Sequence, residues 1–174
     1  MSVNLTTERL LLRPYEPYDL TDFYAMVSDP EVVRFEPYDA MSLREAEACL
    51  RERMTEDFTA VVRREDGRMI GNVYLAHRPF ESMELGDVFA RAAWGCGYAT
   101  EACGAAVEAA FARGVHRVFA ECNPENAASW HLLERLGFRR EGLLRQNIFF
   151  RRDSDGRPVW QDTCVYARLW EDGR

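Results

Sequence analysis

Midway along the chain, Glu84-Leu-Gly86-Asp87-Val88-Phe89 is followed by Trp94-Gly95-Cys96-Gly97-Tyr98-Ala99-Thr100-Glu101-Ala102 and then by an alanine-rich run. The pattern predicts a strand over Ser82 to Phe89 and a helix from Ala99, with a glycine-bearing loop opening directly onto that helix. Such a junction leaves the first helical N–H groups unpaired and pointing one way, with the positive end of the helix dipole behind them. It is a seat for a phosphate or pyrophosphate.

The flanking elements place this junction in a mixed α/β sheet. Arg9-Leu-Leu-Leu-Arg13, stopped by Pro14, reads as a first strand. Asp19 is placed to cap a helix through Phe23, Met26 and Val27, and Ser42-Leu-Arg-Glu45 has the form of a capping box for a second helix. Phe58 to Arg64 and Met69 to Ala76 read as a hairpin around Glu65-Asp66-Gly67-Arg68. After the central helix, which stops at Arg113-Gly114, come a strand from His116 to Cys122 and a helix capped by Asn126 and closed by Gly137. A last strand pair, roughly Gly142 to Phe150 and Val159 to Trp170, flanks the charged segment 151–157, expected to be a solvated hairpin tip or, as the alternative, to shape acceptor or partner contacts. The order is strand, helices, three antiparallel strands, helix, strand, helix, two strands.

Composition narrows the ligand. The chain has 174 residues, a length that fits one domain, and a net charge of −7. An acidic chain is a poor general binder of nucleic acid and tolerates a cationic or amine-bearing substrate better than an anionic one. All 22 basic residues are arginine, so neither a lysine nucleophile nor a Schiff base is available. No apolar run reaches the roughly 20 residues needed to span a bilayer, and Met1-Ser-Val-Asn lacks a signal-like start, so cytoplasmic residence and no membrane partner are expected. Cys49, Cys96, Cys103, Cys122 and Cys164 are widely spaced, and His77, His116 and His131 sit in separate segments. Reduced thiols, no zinc site and no other metal are the expectation.

A P-loop requires a lysine and is therefore excluded. A dinucleotide fingerprint wants a third glycine where this chain has Thr100. The remaining option is the pyrophosphate of coenzyme A. Trp94-Gly-Cys-Gly97-Tyr-Ala99 resembles the Q/R-x-x-G-x-G/A acetyl-CoA motif of the GCN5-related N-acetyltransferases (GNAT), and Trp at the first position is common in their ribosomal-protein N-acetyltransferase branch. Thr7-Glu-Arg-Leu-Leu-Leu-Arg-Pro14, Glu84-Leu-Gly86, Asn123-Pro-Glu-Asn126-Ala-Ala-Ser129-Trp130 with Glu134-Arg-Leu-Gly-Phe138, and Trp160-Gln-Asp162 through Tyr166-Ala-Arg-Leu169 resemble that branch in order. The chain departs from it at Asp87, where an aromatic residue is usual, and in Ala90-Arg91-Ala92-Ala93. Leu133 stands where many members of the superfamily, though not this branch, carry a tyrosine general acid.

The resemblance implies one acetyltransferase domain over residues 1–174: a mixed, mostly antiparallel sheet of about seven strands with about four helices, its central strands splayed around acetyl-CoA. It implies that Trp94, Gly95, Cys96, Gly97, Tyr98, Ala99 and Thr100 hold the pyrophosphate. The pantetheine would bond backbone groups near Val88 and Phe89, with Asn126 and Ser129 beside it. Ser129 is the implied general acid for the departing thiolate, and Glu84 and Asp87 are the candidate bases. Relatives that carry a glutamate after Gln146-Asn147 are not matched, because Ile148 stands there.

Presenting a neutral lysine amine at pH 7 costs about 4–5 kcal/mol, against about 1–1.5 kcal/mol for an α-amine. A chain without a strong base therefore favours acetyl transfer to a protein or peptide N-terminal α-amine. Small amines (a polyamine, an aminoglycoside, an amino-acid-like compound) form the alternative acceptor class, and a non-catalytic acyl-CoA sensor the alternative function. Family precedent makes a homodimer plausible.

Overall fold

The computed structural model describes residues 4–54 and 57–173; the N-terminal Met1-Ser-Val, read above for a leader, lies outside the described residues. Eight strands form one sheet: β1 (Leu5–Thr6), β2 (Leu10–Arg13), β3 (Phe58–Arg63), β4 (Met69–Arg78), β5 (Ser82–Phe89), β6 (Arg117–Cys122), β7 (Arg139–Ile148) and β8 (Gln161–Leu169). Their order is β1-β2-β3-β4-β5-β6-β8-β7, and only the β5–β6 pairing is parallel. Four α-helices accompany the sheet: α1 (Leu20–Val27), α2 (Leu43–Arg53), α3 (Tyr98–Ala112) and α4 (Ala127–Arg135). Among the described residues, no helix is long and apolar enough to cross a membrane.

Alternation along the strands divides the core by face. Phe23, Met26 and Val27 of α1 and Ala46 and Leu50 of α2 pack on one side with Ala60, Val62 and Val88. Ala102, Cys103, Ala106 and Val107 of α3 and Leu132 and Leu133 of α4 pack on the other with Val73, Leu85, Phe89, Val118 and Ala120. Small residues along α3 let it lie close against the sheet. One such approach is on β4 itself, where a Cβ added at Gly71 would stand 2.5 Å from Phe89 Cδ1.

The capping box forms as expected: Ser42 Oγ accepts from Glu45 N–H, and Glu45 Oε2 accepts from Ser42 N–H at 2.8 Å. Asp19 behaves differently. A short 3₁₀ turn, Pro17–Asp19, precedes α1, and Asp19 makes no side-chain cap for that helix. Its carboxylate instead takes both Arg13 Nη atoms at 2.7 Å and the Glu16 N–H at 2.8 Å. A buried carboxylate needs a bidentate cation more than an exposed helix end needs a cap. The sheet has one strand more than expected because β1 is two residues long, too short to show alternation. β7 begins at Arg139 rather than Gly142, since an edge strand exposed along most of its length carries no apolar signature.

Candidate active site

The parallel pair β5–β6 joins only at its start. Ser82, Met83 and Glu84 pair with Arg117, Val118 and Phe119, after which β5 runs on to Phe89 and β6 to Cys122 without further pairing. A gap therefore opens in the middle of the sheet. On its other side β5 stays bonded to β4, where the Ala90 N–H donates to Ile70 O at 2.9 Å and Phe89 lies opposite Gly71. The alternation of an antiparallel ladder then turns the backbone of Val88 and Gly86 toward β4 and that of Asp87 and Phe89 toward the gap. The free backbone is thus at Asp87 and Phe89, one residue offset from the expected Val88–Phe89 pair. Phe89 O is already used: it accepts from the Trp94 indole Nε1 at 2.8 Å, which pins the start of the loop to the mouth of the gap.

The glycine loop ends in left-handed backbone at Gly95 (φ 72°) and Gly97 (φ 78°), a region that L side chains avoid. Gly97 is the N-cap of α3 and offers no side chain, and the first intrahelical bond is Glu101 N–H to Gly97 O at 3.1 Å. The N–H groups of Tyr98, Ala99 and Thr100 are left pointing out of the helix end. Trp94, Gly95, Cys96 and Gly97 are exposed around them. Arg9 braces this seat, its Nη1 donating to Cys96 O at 2.9 Å and its Nε pairing with Glu101 Oε2 at 2.6 Å, with the guanidinium 4.5 Å from the Tyr98 ring centroid. Thr7 Oγ1 donates to the same Glu101 at 2.6 Å. The sequence placed Arg9 in a strand and gave no sign that it reaches the loop.

Across the gap, Asn126 caps α4 by accepting from the Ser129 N–H at 3.2 Å. The Ser129 side chain lies beside the Cys122 thiol at the end of β6 and draws its pKa down a little. Burial pushes that thiol up to about 11, so it stays protonated. Leu133 is core, and His131 is exposed on the same helix.

The carboxylates divide by face. Glu84 is ion-paired with Arg78, whose guanidinium also takes Tyr74 Oη at 3.0 Å. Asp87 pairs with Val73 and so points to the α3–α4 side, where it is felt by Cys103 and Cys122. It makes no ion pair or side-chain hydrogen bond among the described residues, and burial pushes it up to about 6. On the α1–α2 side the connection between those helices brings up Glu36, half-buried and pushed up to about 7 by burial. The Arg53 guanidinium opposes that shift and Asp87 adds to it. Arg53, 9% exposed, donates to Asn72 Oδ1 at 3.3 Å and to Tyr38 Oη at 3.1 Å and lies over the Phe23, Phe58 and Tyr38 rings. Tyr15 Oη lies buried beside it without a hydrogen bond among the described residues.

The β7–β8 connection is not wholly solvated. Residues 152–157 are exposed, but Arg151 folds back onto the α1–α2 connection. Its Nε donates to Asp39 Oδ1 at 2.7 Å, its Nη1 to Arg34 O at 3.4 Å and its Nη2 to Tyr38 O at 3.3 Å. Periodicity singled out none of Glu36, Arg53 and Arg151: Glu36 and Arg151 lie in connections, and Arg53 is the last residue of α2.

An unpaired helix N-terminus opening onto a split parallel pair fits a phosphate-bearing thioester that lies in the gap as an extra strand. Among the described residues there is no cluster of metal-ligating side chains. Comparison with known proteins agrees with this geometry. Residues 9–139 match the acetyltransferase (GNAT) domain family. The chain is 31% identical over 174 residues to the uncharacterized N-acetyltransferase YnaD of Bacillus subtilis, covering 98% of this chain and 99% of that one. The crystal structure of a GNAT-family acetyltransferase from Bacillus anthracis superposes with a TM-score of 0.88 at 28% identity, over 96% of this chain and 98% of that one. Spermidine N-acetyltransferase from Vibrio cholerae, solved with CoA and spermine, shares the fold with a TM-score of 0.77 at 22% identity, over 95% of this chain and 98% of that one. The chain belongs to the GNAT acetyltransferase family, whose members are acetyl-CoA-dependent N-acetyltransferases.

Proposed function

We propose that the protein transfers acetyl from acetyl-CoA to the α-amine of a protein or peptide N-terminus by direct attack in a ternary complex. The observation that carries the reading is the loss of β5–β6 pairing after Glu84 beside the unpaired N–H groups of Tyr98 to Thr100. In this reading the Gly95–Thr100 seat binds the pyrophosphate, and the Asp87 and Phe89 backbone orients the pantetheine. A backbone N–H at the gap stabilises the developing oxyanion. Ser129 protonates the departing thiolate, with Asn126 fixing the first turn that carries it. Asp87 is the base on the donor side. Glu84, held by Arg78, tunes the field at the start of the gap rather than moving protons.

The same reading treats the whole chain as one catalytic domain, supported by a single sheet that all eight strands join. Five free cysteines support a cytoplasmic setting. One observation favours a polyamine as the alternative acceptor: Glu36 and Asp87, on opposite faces of the sheet, lie within electrostatic reach of each other, and their joint negative field attracts a polycation. Thiol release from acetyl-CoA, followed over a panel of N-terminal peptides and small amines, tests both. Release with peptides supports the α-amine reading, and release with polyamines alone replaces it. Tight CoA binding without acceptor-dependent release across the panel would leave an acyl-CoA sensor as the function.

A further inference from the structure

In the acetyltransferase reading the donor enters from the α3 end of the gap, which leaves the α1–α2 face of the sheet to the amine. That face belongs to the connection between α1 and α2. Glu36 sits in it, with its backbone N–H held by Val33 O at 3.0 Å and its side chain half-buried. The connection does not rest there by its own packing alone. Arg151, 112 positions away from Asp39, ties it down through one carboxylate and two carbonyls, and Tyr38 ties it from within to Arg53 and so to Asn72 on β4. Asn72 pairs with Val88, the neighbour of Asp87. Two arginines from opposite ends of the fold thus hold one short segment, and that segment carries a carboxyl group that makes no ion pair among the described residues.

We infer that Glu36, held against the acceptor side of the gap by the Arg151 clamp, receives the proton of the incoming ammonium. The inference rests on the acetyltransferase reading above and adds to it the residue that acts first on the acceptor. The step balances simply. The ammonium N–H bond breaks, its proton passes to a Glu36 carboxylate oxygen, and the neutral amine's lone pair forms the bond to the thioester carbon. The C–S bond then breaks and the thiolate takes up the second proton lost by the amine nitrogen, delivered through Ser129. Glu36 returns the first proton to solvent.

The surroundings suit this role. The groups that face Glu36 are the Arg53 guanidinium from α2, the Tyr38 hydroxyl from its own connection and the Asp87 carboxyl from β5. Burial and Asp87 raise its affinity for a proton, while Arg53 and Tyr38 limit the rise. A carboxyl tuned to about 7 takes a proton from an ammonium far more readily than an ordinary glutamate does. The clamp makes Arg151 a positioning residue: it touches neither substrate and acts through the segment that it holds.

The experiment compares wild type with Glu36→Gln on two acceptors, an α-amine substrate and a hydrazide that is neutral across the same pH range. With the amine, Glu36→Gln is expected to lose on the order of 10²-fold in kcat/KM, together with the rising pH limb near neutrality. With the hydrazide, which has no proton to give up first, the loss should be at most a few-fold. Equal losses on both acceptors, or no loss on either, would overturn the inference while leaving the transferase reading intact. Wild-type protein that binds acetyl-CoA and releases no thiol with any acceptor would overturn both. Arg151→Ala should raise KM for the amine several-fold and leave KM for acetyl-CoA unchanged, with partial recovery in Arg151→Lys. An equal rise in both KM values would assign Arg151 to overall stability and remove the clamp from the account.

Discussion

Glu84 pairs with Phe119, and no later residue of β5 pairs with β6. Everything that the site does follows from that early parting. Beyond it, Asp87 carries a carboxyl group that makes no ion pair among the described residues, a position that costs stability once the carboxyl ionises.

That cost has a sign and a pH window. The Asp87 carboxyl titrates at about 6, above its ordinary value of 3.8, because burial disfavours the anion. Its contribution to stability is therefore full below the ordinary value and is lost as pH rises through about 6. Asp87→Asn, neutral at all pH values, should melt at a higher temperature than wild type at about pH 7.5 and at the same temperature at about pH 4. Its acetyl transfer should fall sharply. A variant that melts lower than wild type at the higher pH would show that the carboxylate is paired rather than stranded.

The donor seat depends on a residue outside the glycine loop. Arg9 bonds Cys96 O on the loop and Glu101 on the first helical turn, so Arg9→Ala should let the loop drift from the N–H groups that it frames. KM for acetyl-CoA is expected to rise several-fold with kcat little changed, and calorimetric titration with CoA should show the same loss. The ion pair is solvent-screened on the Arg9 side, so thermal stability should hardly move.

Ser129→Ala tests the general acid. A thiol with a pKa near 8.5 is a fair leaving group, so the expected loss in kcat is about tenfold, with both KM values preserved. Rapid-mixing kinetics should show the chemical step slowed and donor binding intact. An unchanged kcat would return Ser129 to a first-turn residue whose hydroxyl serves only Cys122.

Gly71 is needed for close approach. A methyl group there would meet the Phe89 ring at 2.5 Å, so the buried ring would have to shift. Gly71→Ala should cost about 1–3 kcal/mol in denaturant unfolding and weaken acetyl-CoA binding, since Phe89 lines the gap. A stable variant with normal affinity would mean that the ring swings aside freely.

The donor half of the site was legible in the chain because it is local. Strand, loop and helix lie in one stretch, and Ser82–Phe89 and the Ser42–Glu45 box came out as their patterns demand. Asp19 misled because a capping residue and a buried ion-pair partner are the same residue type, and the choice is made by Arg13, six positions earlier. Nothing local singles out Glu36 within its loop: its placement comes from Arg151 crossing over from the β7–β8 connection, a contact that no periodicity encodes. The acceptor side is written in tertiary contacts, the donor side in spacing.

The Arg151 clamp has a consequence for how such a protein diversifies. In the proposed reading the donor is held by residues 84–101, whereas the segment that would face the amine is anchored from a hairpin fifty positions later. Insertions or substitutions in that hairpin can retune which amines are admitted without disturbing the grip on the donor. Exchanging residues 149–160 between two such enzymes is therefore a route to transplanting acceptor preference alone, as one changes a key's bit and keeps its bow.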